Sequence, residues 1–358
     1  MAKFRKIGIL TSGGDAPGMN AAIRAVTRKA LCEGVQVVGI REGYEGLIEG
    51  NIYDMNTRDV SQIITLGGTM LYSSRSPRFA TEEGMSRALK TCHDNHIDAI
   101  VALGGDGTFR GATDLTHHGI PSIGVPCTID NDITATDATI GFDTAMNTIV
   151  DMVGALRETC ESHNRCTVVE VMGRDCGEIA LYTGIATGAL AVAIPECPFD
   201  EEAALARMTA ARQKGKRGMI AIISEGMPDK NGMSYAEYFT ELVEKRTGIA
   251  SRFNRCGHIV RGGSPTLADR LLATEMGYAA VGELLAGKSN EVICQINGLI
   301  QPAEINYALI LDRMYKNKLK DGDLDTFTAE QIESMKAVCR MRKARMEQMY
   351  DMSKEVAF

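Results

Sequence analysis

The sequence has no excess of basic residues, no CxxC pair of cysteines and no apolar run of membrane-spanning length. With 39 Lys and Arg against 46 Asp and Glu, the 358-residue chain has a formal net charge of -7. An acidic chain lacks the electrostatic footprint of a nucleic-acid-binding protein. Any anionic ligand must therefore be bound by arginines that are concentrated locally.

Signals for export are also missing. The N-terminal sequence MAKFRKIGIL passes directly into an apolar run, with no cleavable signal region before it. Every apolar run is well short of the roughly 20 residues that a transmembrane helix needs. These absences predict a cytoplasmic protein that binds neither a membrane nor nucleic acid.

The ten cysteines do not form a recognisable framework. They are scattered through predicted core segments and loops, without the spacings of a zinc site. In a cytoplasmic protein such cysteines are reduced and pack as small hydrophobic residues. We therefore predict neither a disulfide framework nor a structural zinc site.

The pattern that is present is an alternation of short apolar runs and amphipathic segments. It recurs in two blocks with no low-complexity linker, and 358 residues are enough for two domains. The pattern predicts an α/β fold with two doubly wound, mainly parallel-sheet lobes and an active site in the cleft between them. The predicted lobes are residues 1–138 and 139–325, with several crossings, followed by a C-terminal helical extension over 326–358.

The stretch from Ala99 to Asp132 organises the chain. Its apolar run Ala99–Leu103 is typical of a buried parallel strand and ends at the glycine-rich sequence GGDGT. Glycines at a strand end let backbone N–H groups surround phosphate oxygens, and a helix predicted to begin at Phe109 adds its N-terminal dipole. Asp106, which lies among these glycines, is placed to hold Mg²⁺ against the phosphates.

A second strand, predicted over Ser122–Val125, ends at the sequence PCTIDND. This sequence places two carboxylates, Asp130 and Asp132, beside the hydroxyl of Thr128. One carboxylate can take a proton from an attacking alcohol while the other positions it. Read singly, GGDGT is equally well a glycine-rich turn and TIDND a solvated acidic loop. Together, after successive strands, they favour a kinase.

Further candidate residues follow other predicted strands. Lys6–Thr11 leads into SGGDAPG, GYEG at residues 43–46 is predicted to be a turn, and Arg75 and Arg78 lie in an irregular loop across Pro77. A strand over Thr167–Val171 delivers Met172, Gly173 and Arg174, and a strand over Met219–Ser224 ends at Glu225. Arg252, His258 and Arg261 lie within ten residues, a composition suited to a phosphate monoester.

These residues also carry a family resemblance. SGGDAPGMN, GGDGT, TIDND, the MGR of residues 172–174 and GHIVRGGSP at Gly257–Pro265 occur in the order found in the bacterial type of the ATP-dependent 6-phosphofructokinase family. The sequence resembles that family from about Lys6 to about Asp325. The resemblance implies transfer of the terminal phosphoryl of ATP, with Mg²⁺, to the 1-hydroxyl of fructose 6-phosphate in a homo-oligomeric, most often tetrameric, allosteric enzyme of glycolysis.

The resemblance also implies a role for each site residue. Asp130 is the base, Thr128 and Arg174 are donors to the reacting phosphoryl, and Asp106 is the Mg²⁺ ligand. Arg165 and Arg252 reach the sugar phosphate from a neighbouring subunit. ATP contacts Gly13, Tyr44, Arg75, Ser76, Gly104, Gly105, Asp106, Gly107 and Thr108. Fructose 6-phosphate contacts Thr128, Asp130, Asp132, Arg165, Met172, Gly173, Arg174, Glu225, Arg252, His258 and Arg261.

Two alternatives remain open from the sequence. The same family includes enzymes that use pyrophosphate, in which an aspartate replaces Gly107 and a lysine replaces Cys127; Gly107 favours ATP, and Cys127 departs from both patterns. The other alternative is a non-catalytic sensor of sugar phosphates or nucleotides. Cys127 is either a small packing residue or a reactive thiol, and the second reading predicts inactivation by thiol reagents with protection by ATP and Mg²⁺.

Two regions depart from the family pattern. The basic residues of its effector site for nucleoside diphosphate and phosphoenolpyruvate are matched, but its glutamate is replaced by Leu190 and one of its arginines by Thr57. We therefore predict weak or absent activation by ADP. The matched residues are Arg24, Arg28, Arg157, Lys214 and Lys216. A helix from Thr328 to about Met349 extends past the family's usual end, and its basic residues are typical of a solvated face.

Overall fold

Short runs of buried apolar residues form the strands of two sheets, as expected for parallel strands that are covered on both faces. The structure, a computed structural model, describes residues 4–357. The strands are β1 (Lys6–Thr11), β2 (Gln36–Ile40), β3 (Ile52–Met55), β4 (Ala99–Gly104), β5 (Ser122–Pro126), β6 (Cys166–Val171), β7 (Ala191–Ala193), β8 (Met219–Ser224), β9 (Ser251–Arg255), β10 (Glu291–Ile296) and β11 (Leu299–Glu304).

Amphipathic segments between the strands form the helices. They are α1 (Met19–Cys32), α2 (Gly43–Glu49), α3 (Glu82–Asp94), α4 (Asp106–His117), α5 (Phe142–His163), α6 (Glu178–Ala186), α7 (Glu201–Gln213), α8 (Tyr235–Thr247), α9 (Leu267–Leu285), α10 (Ile305–Tyr315) and α11 (Ala329–Val356). Short 3₁₀ helices occur at Ile63–Thr65, Pro77–Ala80 and Gly257–Arg261. The predicted α/β class is confirmed by this alternation.

The described chain divides into two compact units, each built on one sheet. The first unit contains residues 4–129, Ile133–Thr144 and Arg261–Met335, and the second contains Asp130–Asp132, Ala145–Val260 and residues 336–357. This division differs from the linear boundaries at 138 and 325. The reason is that β10 runs parallel to β5, with Glu291 opposite Ile123, and thereby returns the chain to the first sheet.

The first unit holds a seven-stranded sheet of order β11-β10-β5-β4-β1-β2-β3. Strands β5, β4, β1 and β2 are parallel neighbours, so their carboxyl ends share one edge. The second unit holds the parallel sheet β7-β8-β6-β9. Its core includes apolar side chains of these strands and of α7 and α8, such as Phe239, together with Leu190, which immediately precedes β7.

The sequence Ser234-x-x-Glu237 predicts the start of a helix that runs to Arg246, whereas two other local predictions are wrong. The capping box at Ser234 and Glu237 is present at the start of α8. GYEG, predicted to be a turn, begins helix α2, because Tyr44, Leu47 and Ile48 bury one face of a helix too short for its period to be visible. Helix α4 begins at Asp106 rather than at Phe109, so Asp106, Gly107 and Thr108 form its first turn and Gly105 is the N-cap.

Two further findings concern the whole described chain. All ten cysteines are free thiols, and Cys32 is exposed while the others are buried. Between residues 4 and 357, no helix combines the length and the apolar character needed to cross a bilayer. Helix α11 exceeds the predicted helix by one to two turns and reaches Val356.

Candidate active site

In the first unit, three candidate loops follow the carboxyl ends of adjacent strands. The loop with Gly13 follows β1, Gly104–Thr108 follows β4, and Thr128 follows β5. The loops are tied to one another, since Ser12 N–H donates to Leu103 O at 3.0 Å and Cys127 N–H donates to Gly104 O at 2.9 Å. Open α/β sheets bind ligands at this edge.

The backbone of the two glycine loops approaches too closely for side chains. The hydroxyl of Thr108 donates to Ser12 O at 3.1 Å, and a Cβ at Gly104 would lie 2.3 Å from that hydroxyl and 2.4 Å from Ser12 O. By contrast, a Cβ at Gly105 or Gly107 would meet nothing within 4 Å. The glycines therefore serve two purposes: Gly104 permits close packing, and the other two leave space beside the first turn of α4.

This first turn is suited to a phosphate bound with magnesium. Asp106 is the first residue of α4, where N–H groups lack intrahelical partners and the dipole attracts anions. Within residues 4–357 no three His, Cys, Asp or Glu side chains cluster as a metal site. Mg²⁺ typically takes one or two protein carboxylates together with substrate phosphates, so a single aspartate beside open space fits it.

Arg75 and Arg78 differ in their surroundings. Arg78 pairs with Glu45 at 2.5 Å and with Glu49 at 2.9 Å, and Ser76 donates to Glu45 at 2.5 Å. Arg75 is exposed, and in the described part of the chain no ion pair engages it. Its loop lies against the Gly13 loop, because Gly13 N–H donates to Ser74 O at 3.1 Å. Arg75 is thus the arginine that a ligand at this edge can recruit.

Tyr44 lies beneath the glycine loop. Its ring stacks on Phe79 with centroids 4.1 Å apart, and its hydroxyl donates to Thr108 O at 2.5 Å. Burial raises the pKa of this phenol far above its ordinary value. A neutral, buried tyrosine with this hydrogen bond supports the loop from behind.

In the second unit, the candidate catalytic carboxylate is buried and paired. Asp130 is 1% exposed, and its Oδ2 lies 3.3 Å from Arg174 Nε. The Arg174 side chain remains half exposed, so it contacts Asp130 through Nε and is also accessible to solvent. The ion pair brings together Asp130, which the sequence predicts to be the base, and Arg174, which it predicts to donate hydrogen bonds to the reacting phosphoryl group.

Glu225 fixes the loop that carries Arg174. Its Oε1 accepts hydrogen bonds from Gly173 N–H at 3.1 Å and Arg174 N–H at 2.9 Å. Arg174 has a φ of +52°, a conformation uncommon for a residue with a Cβ. A Cβ at Gly226 would lie 2.1 Å from Arg174 O, so this glycine is required by a close approach.

The other predicted sugar-phosphate residues separate into two groups. His258, on the 3₁₀ helix after β9, shares the carboxyl edge of the second sheet with Arg174 and Glu225. Arg165 and Arg252 instead lie at the amino edge of this sheet. Arg165 immediately precedes β6, and Arg252, on β9, lies opposite Thr167 of β6. These two arginines line one pocket of about 180 Å³. Arg261 belongs to the first unit, where its guanidinium donates to Asp15 O at 3.2 Å.

A buried acid, Asp269, and a largely buried acid, Glu178, were not singled out in the sequence. Asp269 accepts from Gly141 N–H and Thr144 N–H, each at 2.8 Å, and from the Thr144 hydroxyl at 2.5 Å. Its spacing from Thr266, the N-cap of α9, was a usable helix-start signal. Glu178 accepts from Asn131 Nδ2 at 2.6 Å, and no sequence pattern points to that contact.

The structure contradicts the accessibility on which a reactive Cys127 depends. This thiol is 1% exposed, and burial raises its pKa, with nearby Asp269 acting in the same direction. A buried thiol with a raised pKa is protonated at neutral pH and is a poor nucleophile. Cys127 is therefore a packing residue, which was the alternative considered above.

Thiol titration provides a test of this assignment. In the native protein we expect one thiol, Cys32, to react rapidly with an aromatic disulfide reagent without loss of activity, because it is the exposed cysteine. Ten thiols should react after denaturation. Cys32→Ser is the control that removes the fast phase. Rapid inactivation, or modified Cys127 found by mass spectrometry of the native protein, would contradict the assignment.

Glycine loops at the carboxyl edge of the first sheet, and a buried carboxylate paired with an arginine in the second unit, are features of an α/β phosphotransferase. A model of the phosphofructokinase family, described as "Phosphofructokinase", matches residues 6–284. The chain belongs to the phosphofructokinase family.

Similar proteins agree with this membership. The chain is 48% identical over 318 residues to the ATP-dependent 6-phosphofructokinase of Clostridium botulinum strain Hall. This alignment covers 89% of this chain and 98% of that protein. The structure is similar to phosphofructokinase from Saccharomyces cerevisiae, with a TM-score of 0.82, 32% identity and coverage of 92% of this chain and 50% of that chain. It is also similar to T-state phosphofructokinase from Pichia pastoris, with a TM-score of 0.83, 31% identity and coverage of 99% and 39%.

Proposed function

We propose that this protein transfers the terminal phosphoryl group of ATP to the 1-hydroxyl of fructose 6-phosphate. Relatives with 48% identity over nearly their whole length are ATP-dependent 6-phosphofructokinases. The observation that carries the chemistry is the contact of Asp130 with Arg174, which joins a buried carboxylate to a half-exposed cation. The reaction belongs in the cytoplasm, where both substrates are available to a glycolytic enzyme.

The residues of the first unit bind the nucleotide in this proposal. Backbone N–H groups of Gly105, Asp106 and Gly107 receive phosphate oxygens, and the exposed Arg75 adds a positive charge. The carboxylate of Asp106 holds Mg²⁺, which when bound neutralises charge on the phosphates. Tyr44 keeps this loop in place through its hydrogen bond to Thr108. These interactions position the phosphoryl group rather than react with it.

Residues of the second unit, together with Thr128 and Arg261 of the first unit, bind and activate the sugar. Asp130 accepts the proton of the 1-hydroxyl, and Arg174 with Thr128 donates to the phosphoryl oxygens as charge develops. Glu225 orients Arg174 through the backbone, and its remaining oxygen is available to a sugar hydroxyl. Met172, Gly173, Asp132 and His258 complete the sugar contacts, and Arg261 is assigned to the 6-phosphate on the family pattern.

Arg165 and Arg252 require a different subunit. Strand β6 has six residues and spans about 17–20 Å, with Arg165 before it and Arg174 after it. Within one chain the two arginines therefore lie at the edge opposite to the one that carries Asp130 and Arg174. We infer that the pocket shared by Arg165 and Arg252 serves a neighbouring protomer, in a homo-oligomer that the family pattern makes a tetramer.

The choice of phosphoryl donor is the direct test of the proposed function. A Cβ at Gly107 meets open space, which leaves room for the rest of the nucleotide, and Cys127 supplies no charge for pyrophosphate. In a coupled assay for fructose 1,6-bisphosphate, we expect turnover with ATP and Mg²⁺ and none above background with pyrophosphate. Gly107→Asp is the matched variant, and it should lose ATP-dependent turnover because a carboxylate fills that space and repels phosphate.

Turnover with pyrophosphate and none with ATP would assign the other donor. Binding of fructose 6-phosphate without turnover by either donor would instead indicate a sensor. Removing Mg²⁺ with a chelator should abolish the ATP reaction reversibly, since a single protein carboxylate relies on the metal to neutralise the phosphates.

Regulation by ADP is expected to be weak or absent. Arg24 and Arg28 lie one turn apart on α1. Burial and the positive charge of Arg28 lower the pKa of Arg24. A bound anion would reduce the repulsion between the two arginines. Leu190, however, is buried in the core of the second unit and offers no carboxylate for a metal-bound diphosphate.

Saturation curves measure this prediction. Fructose 6-phosphate curves should keep their shape when ADP and Mg²⁺ are added. A parallel titration with phosphoenolpyruvate, compared with Arg28→Ala, reports whether the basic residues still bind an anion. A sigmoidal curve that ADP makes hyperbolic would contradict the prediction.

A further inference from the structure

Helix α11 lies beyond residues 6–284, the range that the family model matches. It nevertheless contacts a loop and a helix of the second unit. Its Met346 and Tyr350 are buried, and the Tyr350 hydroxyl donates to Pro198 O at 3.3 Å. The helix is thus packed on the second unit. Arg342, one turn before Met346, is 17% exposed and is consequently held in a defined environment.

Arg342 faces a carboxylate that belongs to the active-site region. Its Nη1 lies 3.9 Å from Glu178 Oε1, and the Glu178 side chain is 13% exposed. An ion pair this close to the interior is poorly screened by solvent. Burial raises the pKa of the Glu178 carboxyl, while the hydrogen bond from Asn131 and the charges of Arg342 and Arg345 act in the opposite direction. Arg342 therefore favours the carboxylate form.

The second oxygen of Glu178 holds the catalytic loop. Glu178 Oε2 accepts from Asn131 Nδ2 at 2.6 Å. Asn131 is the residue between Asp130 and Asp132, it is 4% exposed, and its φ of +51° places it in the left-handed region. The backbone conformation of Asn131 sets the direction of the preceding Asp130, so a hydrogen bond that fixes the Asn131 side chain also restrains Asp130.

Glu178 is also connected to the other side of the catalytic pair. It is the first residue of α6, which follows the loop of Gly173 and Arg174. One short segment therefore carries both the guanidinium that contacts Asp130 and the carboxylate that holds Asn131. A displacement of the start of α6 moves both contacts together, and the ion pair with Arg342 restrains that start.

We propose that α11 positions the catalytic loop, with Arg342 acting on Glu178 and Glu178 acting on Asn131. The inference rests on the proposed function, since it gives Asp130 the role of the base. Arg342 and Glu178 are positioning residues that touch neither substrate. Their removal should therefore lower kcat while leaving both KM values nearly unchanged.

A double-mutant cycle tests the relay. Arg342→Met and Glu178→Gln each remove the same charge interaction, and glutamine keeps an acceptor for Asn131. We expect each variant to lower kcat by about three- to tenfold, and the double variant to lose no more than either single variant, because residues in one network are not additive. Arg342→Lys should restore part of the loss. Lys354→Met, which removes a positive charge from the same helix at a pair with Asp351, is the matched control.

The outcomes of these experiments separate a positioning role of α11 from a purely stabilising role and from failure of the proposed function. Equal kcat for Arg342→Met and Lys354→Met, or fully additive losses in the double variant, would overturn the positioning role. A rise in KM in parallel with the fall in kcat would show that α11 only stabilises the fold. The same conclusion would follow if Arg342→Lys failed to restore activity and also had a lowered melting temperature. If the unmodified enzyme forms no fructose 1,6-bisphosphate, the proposed function fails irrespective of these variants.

Discussion

Asp130→Asn is expected to lower kcat by about 10² to 10⁴, the usual contribution of general acid–base catalysis. The change replaces one oxygen by an NH₂ group and conserves volume, so it leaves no cavity at this buried position. An amide cannot accept the proton of the 1-hydroxyl, and it also weakens the contact with Arg174. The loss should therefore appear in the chemical step.

Measurement of this effect requires separation of binding from turnover. Steady-state kcat and KM, with fructose 6-phosphate binding by calorimetry, should show substrate affinity within a few fold of the unmodified enzyme. Asp132→Asn is the control, since it changes the neighbouring carboxylate of the same loop and should cost less in kcat. Turnover of Asp130→Asn at the unmodified rate would exclude Asp130 as the base.

Mixed oligomers should recover activity that neither parent variant has. In the proposed shared site, Asp130 comes from one protomer and Arg252 from its neighbour. Asp130→Asn lacks the base, and Arg252→Ala lacks a phosphate contact. Random co-assembly of the two should restore about one quarter of the sites, because each half of a site is intact with a probability of about one half.

The experiment distinguishes a shared site from an independent one. The two variants are co-expressed with different tags, mixed species are isolated by both tags, and their kcat/KM is compared with that of each parent. Two copies of Asp130→Asn carrying different tags serve as the control for purification artefacts. Mixed oligomers as inactive as their parents would place Arg252 outside the neighbour's site, and a monomer in light scattering would exclude sharing altogether.

Local patterns accounted for much of the fold. Short, mainly apolar runs predicted β1, β4, β6 and β8 to within a residue, since buried parallel strands leave this signature irrespective of their partners. The capping box at Ser234 likewise needs four residues and no tertiary contact. Helix α2 escaped prediction because seven residues are too few to display a helical period, and its burial under the glycine loop decides its conformation.

The sequence by itself determined the α/β class, the family and the residue types at the strand ends, because glycine, aspartate and arginine at these places follow from local chemistry. Tertiary structure decided which of them meet. It buried Cys127 and so made a plausible reactive thiol inert. It placed Arg165 and Arg252 at the edge opposite Arg174, and it brought Arg342 to Glu178 across 164 positions of sequence. Contacts of this kind depend on how strands and helices pack, and spacing along the chain carries no record of them.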